Sequence, residues 1–393
     1  MLAGPLCGAL LGDLGADVIK VEPLTGDQAR HFPPKVGEDG ALFLSANRNK
    51  RSLALDLRRV EGQEVFARLV ATADVVVHNL RSRAAERLRL NYDAIVALRQ
   101  DAVYCAISPY GPSGPDAEEG GFDLVLQGRS GLMSITGQPS GRPVRAGSPI
   151  CDIGAAMLAT IAVEGALMNR ERTGHGARVD VSLLDTAFLL QTPIMAVYLL
   201  NGVMQRWGNS SPFAYAESFC TADGEVTLVV HTERDWHGLC EALELEGLEG
   251  DGRFVSNERR IENAGALTAI LQEHLRRESS EFWMSRLRTS GVLCGPVQDY
   301  AAVFQDPQVV HAECVASTHH PAAGPLQFLA PPFQLGGARS SLRPPPLLGQ
   351  HSGEILSELG LSLEDIDELV SGQVVKLPPR RVGENPWEER TSL

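Results

Sequence analysis

The chain has 393 residues, 44% hydrophobic and 21% charged, a composition with apolar mass for two domains that argues against a disordered tail or a small stapled scaffold. With 35 Lys+Arg against 49 Asp+Glu the formal net charge is −14, which speaks against general binding to nucleic acid or an anionic membrane; any anionic ligand must be held by local charge. Seven scattered cysteines, with no CxxC pair and no zinc-ligand spacing, suit a reducing compartment, and the first residues carry neither a secretory nor a transit signal, so the expected location is cytoplasmic.

In chain order, Asp17 to Glu22, Ser52 to Leu57, Asp74 to His78 and Ala102 to Ile107 are short β-branched runs. Between them lie helical patterns, Val60 to Ala71 and Tyr92 to Arg99. This alternation predicts an α/β fold with a mostly parallel sheet covered by helices on both faces, Rossmann-like in character. The stretch Ser108 to Pro149 is dense in Gly and Pro and reads as loops of the kind that carry sites. A helix is expected over Ile153 to Arg170, a strand over Ala177 to Ser182, and another helix from Leu183. The uncharged stretch Thr186 to Gln205 is long enough to cross a bilayer, but it contains Gln191, Pro193 and Asn201 and is read as a buried helical crossover. After Asn209 the texture becomes that of a smaller α+β domain, with a hairpin over Phe219 to His231 turning at Asp223-Gly224 and helices over Arg234 to Leu245 and Ala264 to Arg277. A last helix is expected near Leu363 to Ser371, and the tail from Pro378 to Leu393 reads as polar surface.

Asp152 follows the Gly/Pro loop and precedes the helical run, where an N-cap residue sits. Free N–H groups and the helix dipole favour an ionised carboxylate there, which serves as a structural cap or as a nucleophile; position alone favours the cap. Two basic clusters oppose the acidic average: Arg48, Lys50, Arg51, Arg58 and Arg59 around Asp56, and Arg81, Arg83, Arg87 and Arg89 around Glu86. Both fall near strand ends, where open α/β sheets bind ligands, and guanidinium groups suit phosphate oxygens. The alternative for each is a solvated face with salt bridges. Gly8, Gly12 and Gly15 are spaced GxxxGxxG, with no strand before them, so they read as close helix packing and not as a dinucleotide fingerprint. The histidines form no metal-binding pattern, and no Gly-x-Ser-x-Gly elbow anchors a serine hydrolase.

Taken together, LAGP (Leu2 to Pro5), LGDLGADVIKVE (Leu11 to Glu22), NRNKRSLALDL (Asn47 to Leu57), ADVVVHNLR (Ala73 to Arg81), SPYGPSGP (Ser108 to Pro115), GFDLVLQGRSGLMSITG (Gly121 to Gly137) and GHGARVDVSLLD (Gly174 to Asp185) resemble the family III CoA-transferases, the CaiB/BaiF family. The resemblance runs on through PPLLGQHSGEIL (Pro345 to Leu356). It implies the N-terminal part of a large Rossmann-like domain over 1–200, a small α+β domain over 205–315, a return segment over 316–393, and an interlocked homodimer. It also implies Asp152 as the nucleophile of an acyl-CoA:carboxylate CoA-transferase, working through mixed anhydrides and a covalent aspartyl-CoA thioester. Acyl-CoA and a small carboxylic acid are then the partners, with CoA as substrate and no permanently bound cofactor or metal. The motifs place Leu55, Arg58, Asn79, Leu80, Arg81 and Arg87 at the adenine and phosphates and Gly120, Gly121, Phe122 and Asp123 along the pantetheine channel. Backbone N–H groups at the start of the helix after Asp152, or in the Gly-rich loop, are candidate oxyanion donors.

The departures bear on specificity. Leu2 stands where some formyl-CoA transferases place a Gln, Pro23 where an Arg contacts nucleotide, and Gly120 in place of a Lys. No oligoglycine loop lies between Asn209 and Phe219, which disfavours an oxalate-type site. Phe122 occupies the position of a racemase histidine and cannot move a proton. The alternatives are an α-methylacyl-CoA racemase or isomerase and a catalytically inactive CoA-binding protein. Relatives usually begin earlier, with a strand reading like VLDLSR, and without that strand the sheet is expected to lack a central member.

Overall fold

The structure, a computed structural model, describes residues 1–204 and 208–378. It divides into two compact units, one of Met1–Ser130, Ser148–Thr192 and the chain from Glu313 onward, the other of Gly131–Gly147 and Pro193–Ala312.

The first unit contains α1 (Ala3–Asp13), β1 (Val18–Glu22), β2 (Lys50–Leu55), α2 (Val60–Thr72), β3 (Val75–His78), α3 (Ser82–Arg87), β4 (Val103–Ser108), α4 (Asp123–Arg129), α5 (Ile150–Thr173), β5 (Ala177–Ser182) and α6 (Leu183–Leu190). Strand alternation decides which side chain meets which layer. Val103, Cys105 and Ile107 of β4 join Cys7 and Leu11 of α1 and Ala155, Ala159 and Val163 of α5 in one core. Tyr104 points the other way, into a core with Leu53 and Leu55 of β2 and Phe66 and Leu69 of α2. Both faces are therefore covered, as a mixed α/β fold with parallel strands requires.

β3, β4 and β5 form one parallel sheet; β1 pairs parallel with β2, whose other edge takes Val375–Lys376 antiparallel. The parallel strands thus fall into two three-stranded sheets, and among the described residues no strand pairs with the outer edge of β1 or of β3. Helix α1 packs against both strands. Its glycines serve that approach: a Cβ at Gly12 would meet the Asn49 carbonyl oxygen at 2.9 Å.

The second unit contains α7 (Thr192–Asn201) from Pro193 onward and an antiparallel sheet of β6 (Tyr215–Cys220), β7 (Glu225–Val230) and β8 (Leu293–Pro296). Tyr215, Phe219, Trp236, Phe254 and Leu271 anchor its core.

The uncharged stretch departs from expectation. It is helical, but as two helices, α6 and α7, with a break at Gln191 next to Pro193, which cannot continue the hydrogen-bond ladder. Helix α7 is not buried: none of its residues is, and Leu199 and Leu200 are 79% and 87% exposed. Among the described residues α5 is the one single helix long and apolar enough for a membrane span, yet its small residues Gly154, Ala155, Ala156 and Ala159 are buried against the layers beneath, as in a core helix. Beyond Pro378, the expected polar tail lies outside the described residues.

Candidate active site

Helix α5 begins at Ile150, so Asp152 lies in its first turn and the N-cap position belongs to Pro149. This corrects the expected helix start. Pro149 has no side-chain acceptor, and the cap arrives from another helix: the N–H groups of Cys151 and Asp152 donate to Asp123 Oδ1 at 2.8 and 3.2 Å. Asp123 opens α4 and is 7% exposed; Gln127, one turn on, donates from Nε2 to Asp123 Oδ2. Asp152 is half-buried, and among the described residues its carboxylate makes no hydrogen bond or ion pair. Burial raises its pKa above the ordinary carboxylate value; the Asp123 carboxylate adds to this and the Met1 amino group opposes it.

The neighbouring thiol is not a competing nucleophile. Cys151 is fully buried, and burial, together with Asp123 and Asp152, pushes its pKa up to about 12, so it stays protonated. The N–H groups at the start of the helix, one of the two expected sources of oxyanion donors beside the Gly-rich loop, are engaged within the chain. The N–H of Ile150 donates to the Ser148 carbonyl at 2.9 Å, those of Cys151 and Asp152 to Asp123, and that of Ile153 to the Pro149 carbonyl at 3.0 Å.

The segment before Asp123 leads to the second basic cluster. Gly120 lies against Arg81, whose Nη2 stands 2.5 Å from where a Cβ would be, and Gly121 lies against Pro109. Phe122 is 66% exposed. Asn79 and Leu80 follow β3, with Asn79 beside Gly4 and the Leu80 N–H donating to His78 Nδ1 at 3.2 Å. Three residues span at most about 11 Å of chain. Arg81 and Asp152 are therefore bridged by one short segment, Gly120 to Asp123, which touches the arginine at one end and the start of α5 at the other.

The two basic clusters have different fates. Arg48 forms a buried pair with Asp13 at 2.6 Å, and Lys50, its pKa lowered by burial, donates to the Pro5 and Ala46 carbonyls and Asn47 Oδ1. Arg51 is tied to Asp17, Glu354 and Glu358, Arg59 to Glu61, and Arg58 lies on Asp56 in a two-pronged pair at 2.8 Å. Leu55 is 2% exposed in the core, so its side chain is not offered to a ligand. This cluster is largely consumed by internal pairing, the salt-bridged alternative. In the second cluster Arg83 approaches Glu118 at 3.8 Å, but Arg81, Arg87 and Arg89 have no ion pair among the described residues. Sequence reasoning missed the capping contact and Gln127, although Asp123 and Gln127 stand at i and i+4, the spacing of one helix face.

Comparison with known proteins places the chain in a family. The model described as CoA-transferase family III matches residues 1–352. The chain is similar to human succinyl-CoA:glutarate CoA-transferase, 35% identical and covering 95% of this chain and 87% of that one. It is also similar to succinyl-CoA:mesaconate CoA-transferase of Haloarcula marismortui, 35% identical over 92% of this chain and 94% of that one. A crystal structure of a CaiB/BaiF family protein from Brucella suis superposes with a TM-score of 0.81 at 34% identity, covering 91% of this chain and 96% of that one. The chain belongs to CoA-transferase family III, the CaiB/BaiF family, and is a CoA-transferase.

Proposed function

We propose that the protein moves CoA from an acyl-CoA donor to a carboxylic acid acceptor with Asp152 as covalent nucleophile. The observation that carries this reading is the unpaired, half-buried Asp152 carboxylate beside Asp123, which has taken the capping role that Asp152 would otherwise serve. An Asp152 oxygen attacks the thioester carbonyl, the C–S bond breaks, and CoA leaves as thiolate from a mixed anhydride. The thiolate attacks the Asp152 carbonyl and the donor acid departs as carboxylate, leaving an aspartyl-CoA thioester. The acceptor carboxylate attacks that thioester, releasing thiolate, which then attacks the acceptor carbonyl of the second anhydride and regenerates Asp152. Each bond made replaces one of similar reactivity, so no external energy source enters and the main demand is exclusion of water.

The nucleotide end of CoA is held by Asn79, Leu80, Arg81 and Arg87, with Arg58 at the rim, and Gly120 to Asp123 line the path to the nucleophile. The unpaired guanidinium groups of Arg81 and Arg87 support this placement. The relatives named for succinyl-CoA with glutarate or mesaconate support succinyl-CoA as donor and a dicarboxylate as acceptor. The site belongs to a cytoplasmic interlocked homodimer with a large domain interrupted by a smaller one. Exposed Met157, Ile161 and Met168 on α5, and Tyr198, Leu199 and Leu200 on α7, are apolar faces of the kind a second copy covers. Incubation with succinyl-CoA and hydroxylamine, read by intact mass, is expected to trap a modification at Asp152. An Asp152→Ala variant that still exchanged CoA at the normal rate would overturn the proposal.

A further inference from the structure

The first turn of α5 is fastened by a side chain outside it. Two of its N–H groups converge on one oxygen of Asp123, the other oxygen is braced by Gln127, and Gln127 also reaches the Ser148 carbonyl at 3.4 Å, just before the helix. Asp123 and Gln127 are both buried, and the N-cap residue itself contributes no side-chain bond. We propose that Asp123 is a positioning residue for Asp152, its carboxylate capping α5 from a neighbouring helix so that the first turn holds the nucleophile at one fixed angle beside a second carboxylate. A carboxylate engaged in this way is a scaffold element of the path that it helps to line.

The inference rests on Asp152 being the nucleophile. The charged and titratable groups facing Asp152 are Asp123 from α4, the Met1 amino group and, on its own helix, the protonated Cys151. Burial raises the Asp152 pKa first and Asp123 raises it further, so removing the Asp123 charge shifts the titration of Asp152 to lower pH.

Two variants separate geometry from charge. Asp123→Asn keeps an oxygen acceptor for the Cys151 and Asp152 N–H groups and removes the charge. Asp123→Ala removes both. The Asp152 carboxyl is titrated by 13C NMR in labelled protein without substrate, and single-turnover acylation is followed by intact mass across pH. The expected result is a lower Asp152 pKa and a lower acid limb in Asp123→Asn. In Asp123→Ala, kcat is expected to fall about 10²-fold with KM for acyl-CoA nearly unchanged, the penalty for a misplaced nucleophile. An unshifted Asp152 titration in the folded Asn variant overturns the inference, as does a loss in Asp123→Ala carried by KM alone. If the wild type forms no adduct at Asp152, the reading of the nucleophile fails by itself, while the NMR titration still decides whether Asp123 governs its neighbour.

Discussion

Arg81 and Gly120 are in contact across the segment that leads to the nucleophile, with the guanidinium Nη2 only 2.5 Å from where a Cβ at position 120 would stand. The absence of a side chain there leaves the arginine room to lie along the loop. In Gly120→Ala the new methyl displaces the end of a flexible side chain, a small cost to folding, but it moves a guanidinium placed to meet phosphate. KM for acyl-CoA is expected to rise about tenfold, the loss of roughly one charge-assisted contact, with kcat and Tm nearly unchanged. Steady-state kinetics beside a thermal melt checks this; a lowered kcat at constant KM would contradict it.

Glu22 and Arg30 form a buried ion pair whose removal reads out in acid. Arg30 donates from Nε and Nη2 to the two Glu22 oxygens at 2.9 and 2.8 Å, Ser52 adds a third bond, and Asp39 takes Nη1 at 3.0 Å. Burial alone would raise the Glu22 pKa, but Arg30, Lys20 and Ser52 overcome it and hold the carboxyl below its usual value. Such a group contributes stability above its unfolded pKa of about 4.3, and the contribution is lost as pH falls through the lower folded value. Glu22→Gln is therefore expected to cost roughly 3 kcal/mol at neutral pH, with the gap to wild type closing in acid. Urea unfolding at pH 7 and pH 3 measures both; an equal gap at the two pH values would rule out the ionic origin.

What was legible in the sequence follows from how local each signal is. The strand Ala177–Ser182 and the helix Leu363–Ser371 match the residues expected, because β-branched alternation and a Ser362 cap with Asp365 three places on are written within a few positions. The pairing of Arg48 with Asp13 spans 35 positions and the capping of Cys151 by Asp123 spans 28, and neither leaves a periodic trace. For this reason the first basic cluster resembled a ligand site and turned out to be mostly internal, and Asp152 sat where a cap was expected while the cap came from elsewhere. The break between α6 and α7 is signalled by Pro193, but exposure of α7 is not, since apolar composition alone does not distinguish a buried helix from one with an uncovered face.

Leu199 and Leu200 provide the test of that uncovered face. Two leucines at 79% and 87% exposure are a poor fit to water, and a second copy of the chain is the occupant proposed for them. Wild-type protein is expected to elute with the mass of a dimer by light scattering. A Leu199→Glu, Leu200→Glu double variant, charged on a surface that would become buried, is expected to shift toward monomer at micromolar concentration without loss of helical signal. A monomeric wild type, or a double variant that remains dimeric, would count against this face as the contact.

Asp152 should lower stability in proportion to its readiness to react. Its pKa is raised in the folded chain, chiefly by burial and further by Asp123, so ionisation is harder in the fold than in the unfolded chain. The folded state then holds more protons between the two pKa values, and stability falls as pH rises through that window and stays lower above it. Asp152→Asn removes the charge at constant size and is expected to stabilise the protein by about 1 kcal/mol at neutral pH, the scale usual for neutralising a strained functional group. Below the unfolded carboxyl pKa of about 3.9, where the wild-type group is itself neutral, the gain should vanish. Tm followed against pH for both proteins measures this. A gain that persisted unchanged into acid would mean that packing, not charge, separates the two side chains, and an Asn variant less stable at pH 7 would mean that the carboxylate is held by a favourable contact and is not poised to attack a thioester.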